Sequence, residues 1–167
     1  MSRSAKADSI RDAFLHSLKL EGVSVETMAD MAAKQSNEML RNLFFGLGRA
    51  GREVYLVRGL GFVNVHIRSE SPGWWSILKT VKRDLDILAK ELKIGCYFVL
   101  LVGRNDMYVA DGYIVTDFKD PPFLRPPGVE VTKYTVNERS HLDATKRISS
   151  VKRVATSLAA MRGAGTT

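Results

Sequence analysis

The sequence predicts an α/β fold of the α+β kind, in which a central mixed β-sheet is flanked by helices. Three observations predict it. Amphipathic stretches with apolar residues three and four apart are interleaved with short apolar or alternating runs. Glycines and prolines punctuate the boundaries between them. Apolar residues make up 45% of the 167 and charged residues 26%, the chemistry of a packed core and not of a disordered chain. That length suits one domain, so residues 1–167 are expected to form a single unit, frayed at 1–7 and 163–167.

Residues 8–21 read as a helix, with Ile10, Phe14 and Leu18 four apart and Gly22 as the stop. Ser24 is a candidate N-cap for a second helix from Val25 to Leu47, ended by Gly46, Gly48 and Gly51. Glu53 to Arg58 and Phe62 to Arg68 read as strands of a hairpin turning at Gly59-Leu60-Gly61. Ser71 then caps a helix with Pro72 in its first turn, opening with Trp74 and Trp75 and carrying Leu78, Val81, Leu85, Leu88 and Leu92 on one stripe. Gly95 stops it. Cys96 to Val102 is continuously apolar, as in a strand covered on both faces. Met107 to Thr116 is its expected neighbour, with Asp111-Gly112 marking a bulge or tight turn. Pro121 to Pro127 holds four of the five prolines and reads as a constrained loop. Val129 to Val136 alternates like a half-buried strand, and a last helix is expected from Ser140, with Ile148, Val151, Ala155 and Leu158 inward.

Composition narrows the setting. Cys96 is the only cysteine, so no disulfide framework is expected and a reducing, cytoplasmic location follows. No apolar run reaches the roughly 20 residues of a membrane span, and the first residues have no signal-peptide pattern. The net charge of +7 favours a polyanionic partner. It is concentrated at the end of the chain. From Ala144 onward Lys146, Arg147, Lys152, Arg153 and Arg162 meet no acidic residue, and Ser149, Ser150 and Thr156 add hydroxyl donors, which is what phosphate contacts use. The helix opening with Trp74 contributes Lys79, Lys82 and Arg83, and Trp74 itself could stack on a base. A solvated helix face is the plainer account of such residues. These positions give a candidate nucleic-acid surface, DNA in the first instance.

Several enzyme signatures are missing. There is no phosphate-binding Gly-x-x-x-x-Gly-Lys loop, no dinucleotide Gly-x-Gly-x-x-Gly, and His16, His66 and His141 lack zinc spacing. Cys96 lies in a greasy strand and reads as core. What remains is the strand Val63–Arg68, where Asn64, His66 and Arg68 share one face. There His66 could titrate near neutrality as a base and Arg68 could hold a phosphate.

Over residues 24 to 102, the order helix, strand pair, turn, helix, apolar strand resembles the core of the restriction-endonuclease-like superfamily. That family's active strand carries Asp, then Asp/Glu-x-Lys, shortly before a helix. His66-Ile67-Arg68 stands where the acid-x-lysine element belongs, Glu53 where the first acid belongs, and Glu38 where some members have an accessory acid. The resemblance implies a metal-dependent DNA endonuclease, with Mg²⁺ held by Glu38 and Glu53 and catalysis by His66, Arg68 and Glu53. Two departures bear on activity: a histidine does not replace a carboxylate toward hard Mg²⁺, and Arg68 is a poor proton acceptor. The rival expectation is a non-enzymatic interaction module or homodimer, using the Trp74-Trp75 turn and the proline-rich loop.

Overall fold

The computed structural model describes residues 3–50, 53–104, 109–116 and 133–163. The proline-rich loop and part of the strand expected from Val129 lie outside them. Helix α1 (Arg3–Leu20) buries Ile10, Phe14 and Leu18, as their four-residue spacing predicts, and Gly22 leaves it at φ +75°. The single helix expected over 25–47 is three elements. Val25–Thr27 is a strand, β1; α2 spans Met28–Ala33 and α3 Glu38–Ala50. Thr27 ends β1 and caps α2, its hydroxyl accepting from the Asp30 N–H at 3.2 Å. Asn37 does the same for α3, accepting from the Leu40 N–H at 3.1 Å. Gly46 and Gly48 lie inside α3 and do not stop it.

β2 (Val54–Val57) and β3 (Gly61–Arg68) form the expected antiparallel hairpin, with Gly59 and Gly61 at positive φ in its turn. The next segment departs from expectation. Trp74–Leu78 is a strand, β4, and α4 begins only at Lys79, running to Leu92. Aromatic and β-branched residues favour a pleated surface when a partner strand exists. That partner is β7 (Lys133–Asn137), with Trp74 opposite Asn137. β5 (Gly95–Gly103) and β6 (Ala110–Val115) complete the strands; Asp111 and Gly112 are paired inside β6 and form no turn. The helix expected from Ser140 is a short α5 (Glu138–His141), a 3₁₀ turn (Ala144–Lys146) and α6 (Val151–Ala160), the last capped by Ser150.

The main sheet has five strands in the order β1-β2-β3-β5-β6, and β4-β7 form a second, smaller sheet. β3 runs parallel to β5, and every other neighbouring pair is antiparallel. β3 is therefore central, not an edge. One face of the sheet, with Val63, Val65, Val99 and Leu101, packs on α1 and α6. The other is covered by α2, α3 and α4 around Phe62, Leu85 and Leu88, and by β4 and β7 through Trp75, Ile77, Phe98 and Leu100. Among the described residues no helix is long and apolar enough to cross a membrane.

Candidate nucleic-acid interface

Strand parity separates the residues expected to act together. Asn64 and His66 lie on the face covered by α4 and β4; Asn64 is buried there, while His66 is half-buried with its Nε2 turned inward. Asn64 is 2% exposed, and neither its Nδ2 nor the His66 Nε2 finds a hydrogen-bond partner among the described residues. The His66 ring stacks on Phe98 with centroids 6.5 Å apart. Burial pulls its pKa down to about 4, so the imidazole is neutral near pH 7. Glu53 precedes β2 and its carbonyl accepts from the Val65 N–H at 2.8 Å, which aligns it with the Val63/Val65 face. Its carboxylate pairs there with Arg11 of α1, which also holds Asp8 at 2.8 Å.

Glu38 is exposed at the start of α3. Helix α3 packs on the sheet face of Phe62 and Leu85, opposite the face on which Glu53 pairs with Arg11. The expected metal pair of Glu38 and Glu53 is thus not assembled, and the expected trio of Glu53, His66 and Arg68 is split between two faces and a strand end. Among the described residues no three His, Cys, Asp or Glu side chains converge as metal ligands. The donor set does not fit Mg²⁺, which requires several oxygen ligands in one shell. The Cys96 thiol is pushed up to about 12 by burial and is no nucleophile.

A densely hydrogen-bonded polar cluster lies instead where parallel β3 and β5 end. Arg104, just past β5, donates to Glu138 at 2.9 and 2.5 Å and to Asp111 at 2.8 Å. Glu138 also accepts from the Tyr113 hydroxyl at 2.5 Å and the Gly73 N–H at 3.0 Å. Arg104 first, with Tyr113 and Gly73, holds the Glu138 carboxyl down to about 2 against the cost of burial. Burial, with Glu138 beside it, pushes Tyr113 up to about 12. These residues come from four separate segments, and sequence patterning did not group them; the one signal was an Asp inside the apolar strand β6. Gly112 beside it has no room for a Cβ against the Leu100 carbonyl, and it bridges Ile148 through two backbone hydrogen bonds of 3.1 and 2.8 Å. Ile148, expected inside a helix, is thereby pinned to the sheet ahead of α6.

That pin presents the basic segment. Lys146, Arg147, Lys152 and Arg153 are all exposed. With Ser149, Ser150 and Thr156 the last three line a shallow cleft of about 700 Å³. Arg153 donates to Ser149 at 3.3 Å, and the Arg147 Nε lies 3.7 Å from Asp111, joining the cleft to the Arg104 cluster. The second basic group is weaker than its sequence suggests. Lys82 is buried and bound to Asp86 at 2.7 Å, so it is a structural residue and not a phosphate contact. Arg83 lies beside Asp84 at 3.4 Å, while Lys79 is exposed. The tryptophans divide: Trp75 is 2% exposed and donates from its indole to the Leu101 carbonyl at 3.0 Å, while Trp74 is 45% exposed under the Arg68 guanidinium. Comparison with protein-family models, with curated proteins and with solved structures finds no match to this chain.

Proposed function

We propose that this chain is a cytoplasmic nucleic-acid-binding protein, with DNA as its ligand, on a restriction-endonuclease-like core that binds without cutting. The observation that carries the binding is the exposed set Lys146, Arg147, Lys152 and Arg153 around the capped start of α6, in a segment with no acidic residue from Ala144 onward. Cations with hydroxyls beside them are the chemistry of phosphate contact, and here Ser149 and Ser150 stand beside Arg147, Lys152 and Arg153, while Thr156 donates to Glu21 at 2.8 Å. The restriction-like core is supported by the hairpin β2-β3 and by α4 leading into β5, which lies parallel to β3. Binding without cleavage is supported by the inward-turned, unpartnered Nε2 of a His66 that is neutral near pH 7, by the Arg11–Glu53 pair on the opposite face, and by a donor set unsuited to Mg²⁺.

The test is the salt dependence of DNA binding. Reversing Lys146, Arg147, Lys152 and Arg153 to Glu should weaken binding sharply and lower the slope of log K against log salt by about 3 to 4, near 0.9 for each contact on duplex. A correctly folded variant with an unchanged slope would place the contacts elsewhere. Supercoiled plasmid with Mg²⁺ or Mn²⁺ should stay intact; nicking that disappears in Glu53→Ala would restore the nuclease.

A further inference from the structure

Trp74 is not explained by packing. Its neighbour Trp75 points inward, fills the core and satisfies its indole N–H, whereas Trp74 points outward and leaves 45% of its surface in water. Directly across the small sheet stands Asn137, which offers no apolar cover. What does approach the ring is a cation: the Arg68 guanidinium lies 5.9 Å from its centroid, within the range of a cation–π contact. Arg68 is itself the exposed last residue of β3. The pair therefore sits at the carboxyl end of the parallel strands, the end at which open α/β sheets take their ligands.

A chain of contacts ties this pair to the basic face. Gly73, adjacent to Trp74, donates to Glu138; Glu138 grips Arg104; Arg104 grips Asp111; and Asp111 lies 3.7 Å from Arg147. The indole and Arg147, which lines the basic cleft ahead of α6, thus border one ionic cluster. An aromatic plane with an adjacent guanidinium matches a nucleotide, whose base offers a flat face and whose phosphate offers charge. In a duplex those base faces are already stacked on each other, and only an unpaired base can give one to an indole.

We propose that Trp74 and Arg68 form a seat for an unpaired nucleotide, base on the indole and phosphate on the guanidinium, so that the preferred ligand is single-stranded DNA. This deepens the binding assigned above to the α6 face and rests on it. The phosphate backbone runs over Lys152, Arg153 and Arg147, and one base at its end lies on Trp74.

The experiment compares an oligothymidylate with a hairpin duplex carrying the same number of phosphates, both titrated into the full chain at fixed salt. Tryptophan emission reads the seat directly, because of the two tryptophans only Trp74 is open to a ligand. The single strand should quench the emission and bind more tightly than the duplex. Trp74→Ala should weaken single-strand binding by about 5- to 150-fold, leaving the duplex affinity and the salt slope unchanged, and Trp74→Phe should restore most of the loss. Arg68→Gln should weaken single-strand binding and lower its salt slope by about 0.7. Single-strand affinity unchanged in Trp74→Ala, or no quenching at saturation, overturns the seat while duplex binding keeps the α6 face. A Trp74→Ala chain that is monomeric where the wild type is dimeric by light scattering, with unchanged single-strand affinity, assigns Trp74 to self-association and also overturns it. No binding to either DNA removes the α6 reading and the seat together.

Discussion

Glu138→Gln tests the cluster on which the candidate interface is built. The carboxylate accepts from Nη1 and Nη2 of Arg104, from Tyr113 and from Gly73. An amide keeps the shape but replaces one acceptor oxygen with a donor, which must then face another donor, and among the described residues Arg104 keeps only Asp111 as counter-charge. The wild-type carboxyl titrates at about 2 when folded against 4.5 ordinarily. The folded value is the lower one, so the unfolded chain takes up the proton first as pH falls. Glu138 therefore contributes its full stability above 4.5 and loses it down to about 2. At 1.36 kcal/mol per pH unit the interval sets an upper bound of about 3 kcal/mol. The side chain is 10% exposed at the rim, where water screens part of this, and we expect about 2 kcal/mol. In a chain of this size that is about 4–8 °C in Tm. Urea unfolding at neutral pH should show the loss, and the gap between wild type and variant should narrow as pH falls below 4.5. A difference within about 0.5 kcal/mol, or one that does not narrow with acid, would refute the reasoning.

Three further outcomes are expected. Leu85→Ala should cost about 2–5 kcal/mol in urea unfolding, because Leu85 is fully buried under the main sheet. His66→Phe should stabilise the protein: burial holds the imidazole at about 4 against 6.5 when unfolded, so wild-type stability declines as pH falls through that interval, and the substitution should flatten the decline in pH-dependent urea midpoints. Gly112→Ala should cost about 1–3 kcal/mol, because its Cβ meets the Leu100 carbonyl, and hydrogen exchange should show the Ile148 N–H released.

How much was legible in the sequence follows from the range of the forces involved. Helix α1, the body of α4, and strands β3 and β5 carry their periodicity within their own residues, and all four stand where periodicity puts them. β1 and β4 do not. Val25–Thr27 is three residues beside a helical pattern, and Trp74–Leu78 is a strand only because β7, some sixty residues on, pairs with it. The basic α6 face was legible as a segment without acids. The Arg104 cluster was not, because it takes one or two residues from each of four segments. The separation of Glu53 from His66 turns on register: one step along β2 moves a side chain to the other face of the sheet, and the pairing of Val54 with Asn64 puts Glu53 with Val65.

The division of groups between the sheet faces decides between cutting and holding. The His66 ring is half-buried, its Nε2 turned inward without a partner, and burial holds its pKa at about 4, so it is uncharged near pH 7. Glu53, the carboxylate expected beside it, pairs with Arg11 on the opposite face, so bringing the two together would mean breaking that pair and turning a strand over. Binding asks for no such rearrangement. Lys146, Arg147, Lys152 and Arg153 are already in water, Trp74 and Arg68 are already at the strand ends, and the ionic cluster between them is already formed. Pre-organisation therefore favours the proposed binding surface over a catalytic centre whose parts lie on opposite faces of the sheet.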